Sequence, residues 1–412
     1  MKIKNILIAL FSVLLIAGVA WGGYGMMFDM QQKKTRYETD LYSLVPLEAK
    51  ALVYFHNRQA FFANPFVETA SATVWDGLLN DLIVNEALLS LHSEGAILYI
   101  KASQEDMERL LTPVKSDFET HTIAESGTEV SVITLTDDRF LCYFYYQGVW
   151  IGSLRKRLID RVAKHLAAGA SLRGDSLFVS ALNGLGPKVA ANILINTDST
   201  GYFRDPSSPE SFIHPIKKWV GCDLSTVDGK IWFSGVIGAG FADEEGVESE
   251  VSTLNDNLIP TSSYLLCKPY ESAAHYVWFC PEDSVELTGR VALTATDFLE
   301  PDAKKLPGVV FYRDYLVSAD SSVVAKAFIA SLKRDSINNV QGKGFFADLN
   351  VTVECGFEAD MAMLFSVSTP DFLPSWMDNR EALSSYNLRY YTYFEDGKHL
   401  FNLILTPKQQ LF

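Results

Sequence analysis

Hydrophobic and polar residues alternate along several stretches of the chain, which is the pattern of half-buried β-strands. The stretches 129–153 and 387–407 show this alternation most clearly. Turn residues interrupt both, with Asp137-Asp138 and Gln147-Gly148 in the first and Asp396-Gly397 in the second. Because Asp-Gly between alternating runs indicates a tight hairpin, both stretches predict antiparallel sheet.

Other stretches have apolar residues three and four positions apart, which is the helical spacing. This spacing predicts helices within 66–92 and over 154–166, and Gly169 fits a helix C-cap. Ser103 followed by Asp106 predicts a helix start of the capping-box type. Antiparallel sheet with interspersed helices defines an α+β fold class.

Part of the pattern occurs twice. Residues 143–166 and 309–332 share the order aromatic strand, polar break, apolar strand and amphipathic helix, at an offset of 166. GKIWFSGVI at 229–237 matches GKHLFNLIL at 397–405, at an offset of 168. We therefore predict an N-terminal transmembrane or signal helix followed by two related antiparallel sheet-plus-helix domains. Any specific function is expected where the copies differ or at the seam between them.

The composition shifts that accompany this repeat predict five segments. They are a signal anchor or transmembrane helix at 1–28, a stalk at 29–44, a first α+β repeat at 45–240, an acidic linker at 241–258, and a second, shorter repeat at 259–412. A chain of 412 residues is long enough for two domains of ordinary size.

The amino terminus has the pattern of a membrane or export signal. Lys2 and Lys4 precede an uncharged apolar run from Ile6 to Phe28, which is long enough to span a bilayer as a helix. We favour an uncleaved anchor in the bacterial inner membrane, single-pass, with the body facing the periplasm. A cleaved secretory signal is the alternative, since Ala17, Gly18 and Ala20 offer small residues for a cleavage site.

Composition and charge limit the classes of partner that the protein can bind. Apolar residues make up 48% of the chain and charged residues 21%, so sizeable cores are expected. The formal net charge is −15, which argues against nucleic acid as a partner because an acidic surface repels phosphates. Within this acidic body, Arg155, Lys156, Arg157, Arg161 and Lys164 form a possible basic contact helix for an acidic partner or for lipid headgroups. A solvated helix face is the alternative interpretation.

The cysteines allow one disulfide hypothesis. Cys267 and Cys280 flank a possible hairpin, and they would face each other if its turn were centred near Ala273 and Ala274. An oxidising compartment would then permit a disulfide between them.

No motif of catalysis or of metal or phosphate binding is present. The seven His residues are dispersed, no CxxC or GxSxG occurs, and the Gly184-Leu185-Gly186 and Gly342-Lys343-Gly344 fragments lack the phosphate-loop pattern. The sequence therefore predicts no catalytic residue, no cofactor and no metal ligand.

Several motifs resemble a group of uncharacterised envelope proteins, domain-of-unknown-function families found among Bacteroidetes. They are the apolar amino terminus, VPLEAKALVYF, HSEGAILYI, the unit GVWIGSLRKRLIDRVAKHLAAGASLRGDSLFVSAL, and DGKIWFSGVIG. The resemblance implies an anchored protein that faces the periplasm, and it carries over no functional residue.

Together these features favour a non-enzymatic, membrane-anchored envelope protein that binds or scaffolds a protein or ligand in the periplasm. The expected partners are the membrane, through the N-terminal helix, and another envelope protein. Two alternatives remain: a carrier or sensor of an apolar small molecule or lipid, and a hydrolase whose site is assembled from residues distant in sequence.

Overall fold

A computed structural model describes most of the body of the protein. The described residues are 34, 38–57, 61, 64, 86–136, 139–197, 218–237, 258–269, 274–281, 285–296, 308–338, 346, 348–362 and 380–408. The predicted anchor at 1–28 lies outside them, as do 241–257 of the predicted linker and half of the predicted stalk. Among the described residues, no helix is both long enough and apolar enough to cross a bilayer.

The described residues form eighteen strands and a few helices. The strands are β1 (Ala51–Phe55), β2 (Ala87–His92), β3 (Gly95–Ile100), β4 (Thr120–Glu125), β5 (Thr128–Thr136), β6 (Arg139–Tyr146), β7 (Val149–Ser153), β8 (Ala191–Asn196), β9 (Trp219–Val227), β10 (Lys230–Ile237), β11 (Ser263–Lys268), β12 (Ala274–Phe279), β13 (Gly289–Ala295), β14 (Val309–Tyr312), β15 (Tyr315–Ala319), β16 (Val353–Asp360), β17 (Tyr386–Glu395) and β18 (Lys398–Pro407). The α-helices are α1 (Gln104–Asp117), α2 (Lys156–Ala168), α3 (Ser176–Asn183), α4 (Ser322–Ile337) and α5 (Arg380–Leu383), and 3-10 turns lie at Leu41–Leu44, Leu172–Gly174 and Val285–Leu287.

The chain forms two compact units, the first from residues up to 47 and 77–172, the second from 48–76 and 173–412. In the first unit the strand order is β2-β3-β7-β6-β5-β4, and every pairing is antiparallel. The turn between β6 and β7 has Gln147 and Gly148 at positive φ, which confirms the hairpin predicted there. Helix α2 packs against β3, β6 and β7.

The second unit contains a longer antiparallel run. Its order is β1-β8-β9-β10-β18-β17-β16-β11-β12-β13-β15-β14. Helix α4 covers β13–β15, where its Phe328 lies in a core with Phe279, Val291 and Val317. The predicted Asp396-Gly397 turn is confirmed, since both residues have positive φ between β17 and β18.

The predicted fold class, a transmembrane or signal helix followed by two related sheet-plus-helix domains, is wrong. Antiparallel sheet dominates the described part of the chain, with 48% of the described residues in strands against 28% in helices. Strands assigned to different domains share one sheet, because β10 of the first predicted repeat pairs with β18 of the second. The backbone N–H and C=O groups along the facing edges of β10 and β18 bond to each other. In two separate domains these edges would have no partner.

Two equivalent polar positions face each other at the centre of the β10–β18 pairing. Ser234 lies opposite Asn402, and these two positions are also equivalent in the GKIWFSGVI/GKHLFNLIL match. The strand order β2-β3-β7-β6 in the first unit recurs as β12-β13-β15-β14 in the second. What recurs is therefore an order of strands, and the matching segments β10 and β18 lie side by side.

One helix prediction is wrong in its described part. Residues 87–92, placed within a helix by their apolar spacing, form strand β2. Leu88, Leu89 and Leu91 fit either period in so short a run. Residues 87–92 form a strand because they pair with the apolar strand β3 in a hairpin, in which His92 lies opposite Gly95. By contrast, the Ser103 cap and the Gly169 C-cap are confirmed.

Candidate functional site

The predicted basic contact helix is α2. Its Leu158, Ile159, Val162 and Ala163 are buried, so the helix is fixed to the sheet by one apolar side. Gly169 ends it in the left-handed conformation with a φ of 66°, which glycine adopts at little cost. This packing directs the charged residues of the helix away from the core.

Two of the five basic residues are neutralised within the first unit. The Lys156 ammonium lies 2.9 Å from an Asp160 carboxylate oxygen and 3.8 Å from one of Glu125. Arg161 donates to Glu94 at 3.2 Å. The hydrogen bond to Asp160 is the main cause of a raised pKa of Lys156. Neither residue contributes much net positive charge to the surface.

The other three, Arg155, Arg157 and Lys164, are exposed. None of them has a carboxylate partner among the residues that the structure describes. Arg157, Arg161 and Lys164 are spaced by four and three positions, so they follow one line along the helix surface. We call Arg157, Arg161 and Lys164 the basic stripe, in which Arg161 is paired with Glu94 and the two end residues are exposed.

A buried histidine lies beside the stripe. His92, at the end of β2, is 7% exposed, and its ring Nε2 is 3.0 Å from the hydroxyl of Ser90. Burial lowers the pKa of His92 to about 4, and the positive charge of Arg161 contributes to this shift. The imidazole is therefore neutral at physiological pH and adds no charge to the stripe.

This shift predicts a loss of stability in mild acid. The folded protein holds His92 neutral with a pKa of about 4, whereas the unfolded chain protonates it near the ordinary value of 6.5. Between these values the unfolded state binds more protons, so the free energy of unfolding decreases as the pH falls. The contribution of His92 is about 3 kcal/mol once the pH is below 4.

Urea titrations at pH 7 and at pH 4.5 measure this effect. The variant His92→Phe should lose less stability between the two pH values than the original protein does. His121, which is exposed on β4, provides the matched control as His121→Phe. Equal pH dependence in the original protein and both variants would contradict the assignment.

The predicted cysteine pair is not brought together. In the β11–β12 hairpin Cys267 lies opposite Tyr276, whereas Phe279, the residue before Cys280, lies opposite Ser263. Cys280 is thus four positions beyond the partner of Cys267, or about 13 Å along the strand. A disulfide requires Cα atoms within roughly 7 Å. The thiol of Cys280 instead accepts a hydrogen bond from the Thr288 hydroxyl at 3.3 Å.

The sequence analysis missed a group of polar residues at the centre of the second unit. Asn192, Asp223, Ser234, Asn402 and Tyr391 are directly opposite one another on successive strands β8, β9, β10, β18 and β17. Directly opposed residues point to the same face of a sheet. We call these five residues the polar row.

Hydrogen bonds connect much of the row. The amide nitrogen of Asn192 donates to Asp223 at 2.7 Å, and the Ser234 hydroxyl donates to the Asn402 amide oxygen at 2.6 Å. The Asn402 amide nitrogen donates to the Tyr391 hydroxyl at 3.2 Å. Asn402 and Ser234 sit at the centre of the β10–β18 pairing, so their hydrogen bond also favours this register over a shifted one.

Asp223 is the titratable group of the row. Burial raises the pKa of its carboxyl, although hydrogen bonds from the Gly186 backbone N–H and from Asn192 act in the opposite direction. The Gly186 N–H reaches the carboxylate at 2.9 Å, and a Cβ at Gly186 would lie 3.0 Å from it. The Asn192 oxygen in turn accepts from His56 Nε2 at 2.5 Å. This His56 ring lies at the exposed end of the network.

Sequence reasoning had no means of finding the row. Its members are spread from 192 to 402, and no pair has a motif spacing. Only the register across four strand pairings places them together. Ser234 and Asn402 are polar positions inside otherwise apolar strands, which is the one signal that the sequence offers for the row.

In the part of the chain that the structure describes, no group of three or more His, Cys, Asp or Glu side chains has the arrangement of a metal site. The described residues therefore offer hydrogen bonding and charge, at the basic stripe and the polar row, as their chemistry. The expectation that no cofactor is needed stays an expectation.

Comparison with known proteins gives no functional name. No protein-family model matches the chain, and no curated protein matches it. Among solved structures, crystal form III of TP0453 aligns with a TM-score of 0.31 at 10% identity, covering 52% of this chain and 84% of that chain. Crystal form I of TP0453 aligns at 0.31 and 9%, covering 72% and 98%. TM-scores of this size do not establish a shared fold.

Proposed function

We propose that the protein is a non-enzymatic binding or scaffolding protein of the bacterial envelope, and that its basic stripe binds an acidic surface of another envelope protein. In this proposal the apolar amino terminus anchors the chain in the inner membrane and the body faces the periplasm. The observation that carries the proposal is the set of exposed cationic residues on α2 that no described carboxylate neutralises.

The charge pattern supports this use of the helix. The protein has a formal net charge of −15, so carboxylates are abundant, yet Arg157 and Lys164 have no carboxylate partner within the described ranges. Their exposed positions mean that packing of α2 does not need them. Complementary charges across an interface accelerate association and select partners. An acidic partner would meet its complement here and would be repelled by most of the remaining surface.

The neutralised members of the helix support the same interpretation. Arg161 is held by Glu94, and the Lys156 ammonium lies 3.8 Å from Glu125, so ion pairs connect α2 to two neighbouring turns. Rigid presentation lowers the entropic cost of binding. Arg157 and Lys164 then lie at a constant separation of two helical turns.

Charge reversal on the stripe tests the proposal. The double variant Arg157→Glu/Lys164→Glu in the full-length protein should lose its crosslinked partner during purification from mild-detergent extracts of membranes. The expected decrease in recovered partner is about tenfold or more, because two attractive contacts become repulsive. Increasing salt should also weaken the binding of the partner to the original protein, because salt screens the attraction between the charges.

Helix α4 provides a matched control. Lys326 and Lys333 are exposed and also seven positions apart, so Lys326→Glu/Lys333→Glu changes the net charge equally. This control should retain the partner. If both double variants lose it alike, or neither does, the basic stripe is not the binding surface.

A further inference from the structure

The polar row lies in a patch that remains partly exposed. Asp223, Ser234 and Asn402 are each half-buried, although they occupy the middle strands of the second unit. Trp232 precedes Ser234 by two positions on β10, so its ring is on the same face, about 7 Å away along the strand. The Trp232 ring is also partly exposed and packs against the core of this unit.

The neighbours of the row are apolar or aromatic. On the same face, Val236 follows Ser234 on β10, Leu400 and Ile404 flank Asn402 on β18, and Tyr393 follows Tyr391 on β17. The Tyr391 and Tyr393 rings are 5.9 Å apart. A line of hydrogen-bonding groups thus runs between apolar borders, with the Trp232 ring on β10 and the Tyr393 ring on β17.

Hydrogen-bonding capacity remains in the row. The Tyr391 hydroxyl accepts from Asn402, but the Tyr391 side chain is 6% exposed and belongs to the core, so it is closed to a ligand. The Ser234 O–H donates to Asn402, and the Ser234 oxygen keeps its lone pairs as acceptors. The Asp223 Oδ2 atom accepts from the Gly186 N–H and keeps further acceptor capacity. The half-buried Ser234 and Asp223 therefore offer hydrogen-bond acceptors to a ligand, and a ligand hydroxyl can donate to them.

The charges around the row exclude other ligand classes. Arg389, two positions from Tyr391, is neutralised by Asp348 at 2.6 Å and Glu358 at 3.2 Å. Asp223 is hydrogen-bonded by neutral groups, so it keeps its negative charge when ionised. An anionic ligand would be repelled by Asp223, and a purely apolar ligand would leave the row's donors and acceptors desolvated without partners.

We propose that this patch binds a neutral saccharide, with a sugar ring stacked on Trp232 and its hydroxyls hydrogen-bonded to Ser234 and Asp223. Sugars combine alternating hydroxyls with an apolar C–H face, which suits a polar row bordered by an aromatic ring. This site is on the second unit and is independent of the basic stripe on the first, so either proposal can fail without the other.

Isothermal titration calorimetry of the full-length protein in detergent tests the site. The probes are three neutral trisaccharides: maltotriose, cellotriose and N,N′,N″-triacetylchitotriose. At least one should bind saturably with a dissociation constant of about 1 mM or lower. The variants Trp232→Ala and Ser234→Ala should each weaken that binding about tenfold.

Trp278 gives the matched control. It is a partly exposed tryptophan on β12, and its neighbour Val277 points to the core side that Trp232 packs against, so Trp278 lies on the opposite face. Trp278→Ala should bind the trisaccharide as the original protein does. Ser234→Ala guards against misfolding of Trp232→Ala, since it removes only a hydroxyl. Absence of saturable binding by all three sugars, or equal binding by Trp232→Ala and Trp278→Ala, would overturn the proposal.

Discussion

Replacement of Gly235 by alanine is expected to destabilise the second unit by about 3 kcal/mol, which is the upper part of the usual range for overpacking. A Cβ atom at Gly235 would lie 2.0 Å from the Gly221 carbonyl oxygen and 2.9 Å from the Cys222 Cα atom. Both are backbone atoms of β9, so a side-chain rotation cannot relieve the contact. Strand β10 is also held by β18 on its other edge, which prevents it from moving aside.

Gly174→Ala is the matched control, because a Cβ there meets no atom within 4 Å. Its free energy of unfolding should stay within about 0.5 kcal/mol of the original value. Urea titration followed by circular dichroism measures both variants. If Gly235→Ala is as stable as Gly174→Ala, the close approach of β9 and β10 is incorrect.

Replacement of Phe328 by alanine is expected to cost about 3–5 kcal/mol, the usual range for a buried aromatic residue. The Phe328 side chain is 0% exposed on α4, and its ring meets that of Phe279 edge to face, with centroids 5.4 Å apart. Its removal leaves a cavity between the helix and β13–β15. This cavity adds to the lost transfer free energy, since the surrounding sheet relaxes only in part.

Val323 on the same helix provides the comparison. It is 57% exposed, so Val323→Ala should change the free energy of unfolding by no more than about 0.5 kcal/mol. Thermal or urea unfolding distinguishes the two variants directly. Similar losses for both would mean that α4 does not cover the sheet with the side that carries Phe328.

The register of β10 and β18 connects these results to function. The Ser234–Asn402 hydrogen bond lies at the centre of that pairing, and the polar row extends from it to Asp223 on one side and Tyr391 on the other. A shift of one residue would turn Ser234 to the opposite face and break the row. The close packing at Gly235 therefore also maintains the proposed saccharide site.

Local features were predictable because they depend on neighbours in sequence. The Asp396-Gly397 and Gln147-Gly148 turns need residues that tolerate positive φ, and both have them. The Ser103 hydroxyl accepts from the Asp106 N–H as its capping pattern predicted. The basic residues of α2 were identified by charge alone, since no packing competes with exposed side chains.

Other predictions failed where pairing with the next strand decides the structure. Residues 87–92 have apolar spacing that suits a helix, yet pairing with β3 makes them a strand. The Cys267–Cys280 pairing assumed a hairpin turn centred near Ala273 and Ala274, but the observed register offsets the two residues. Hairpin register depends on the turn and on both strand faces together, and the sequence of one turn does not fix it.

By itself the sequence determined the antiparallel character of the sheet, the Gln147-Gly148 and Asp396-Gly397 turns and the two helix caps, because each follows from side-chain periodicity or from a local backbone requirement. The tertiary structure alone decided that β10 pairs with β18, so that strands assigned to two domains share one sheet. It also placed Asn192, Asp223, Ser234, Asn402 and Tyr391 in one row. Pairing between strands far apart in the chain is set by burial and backbone hydrogen bonding over the whole sheet, and no short stretch of sequence contains that information.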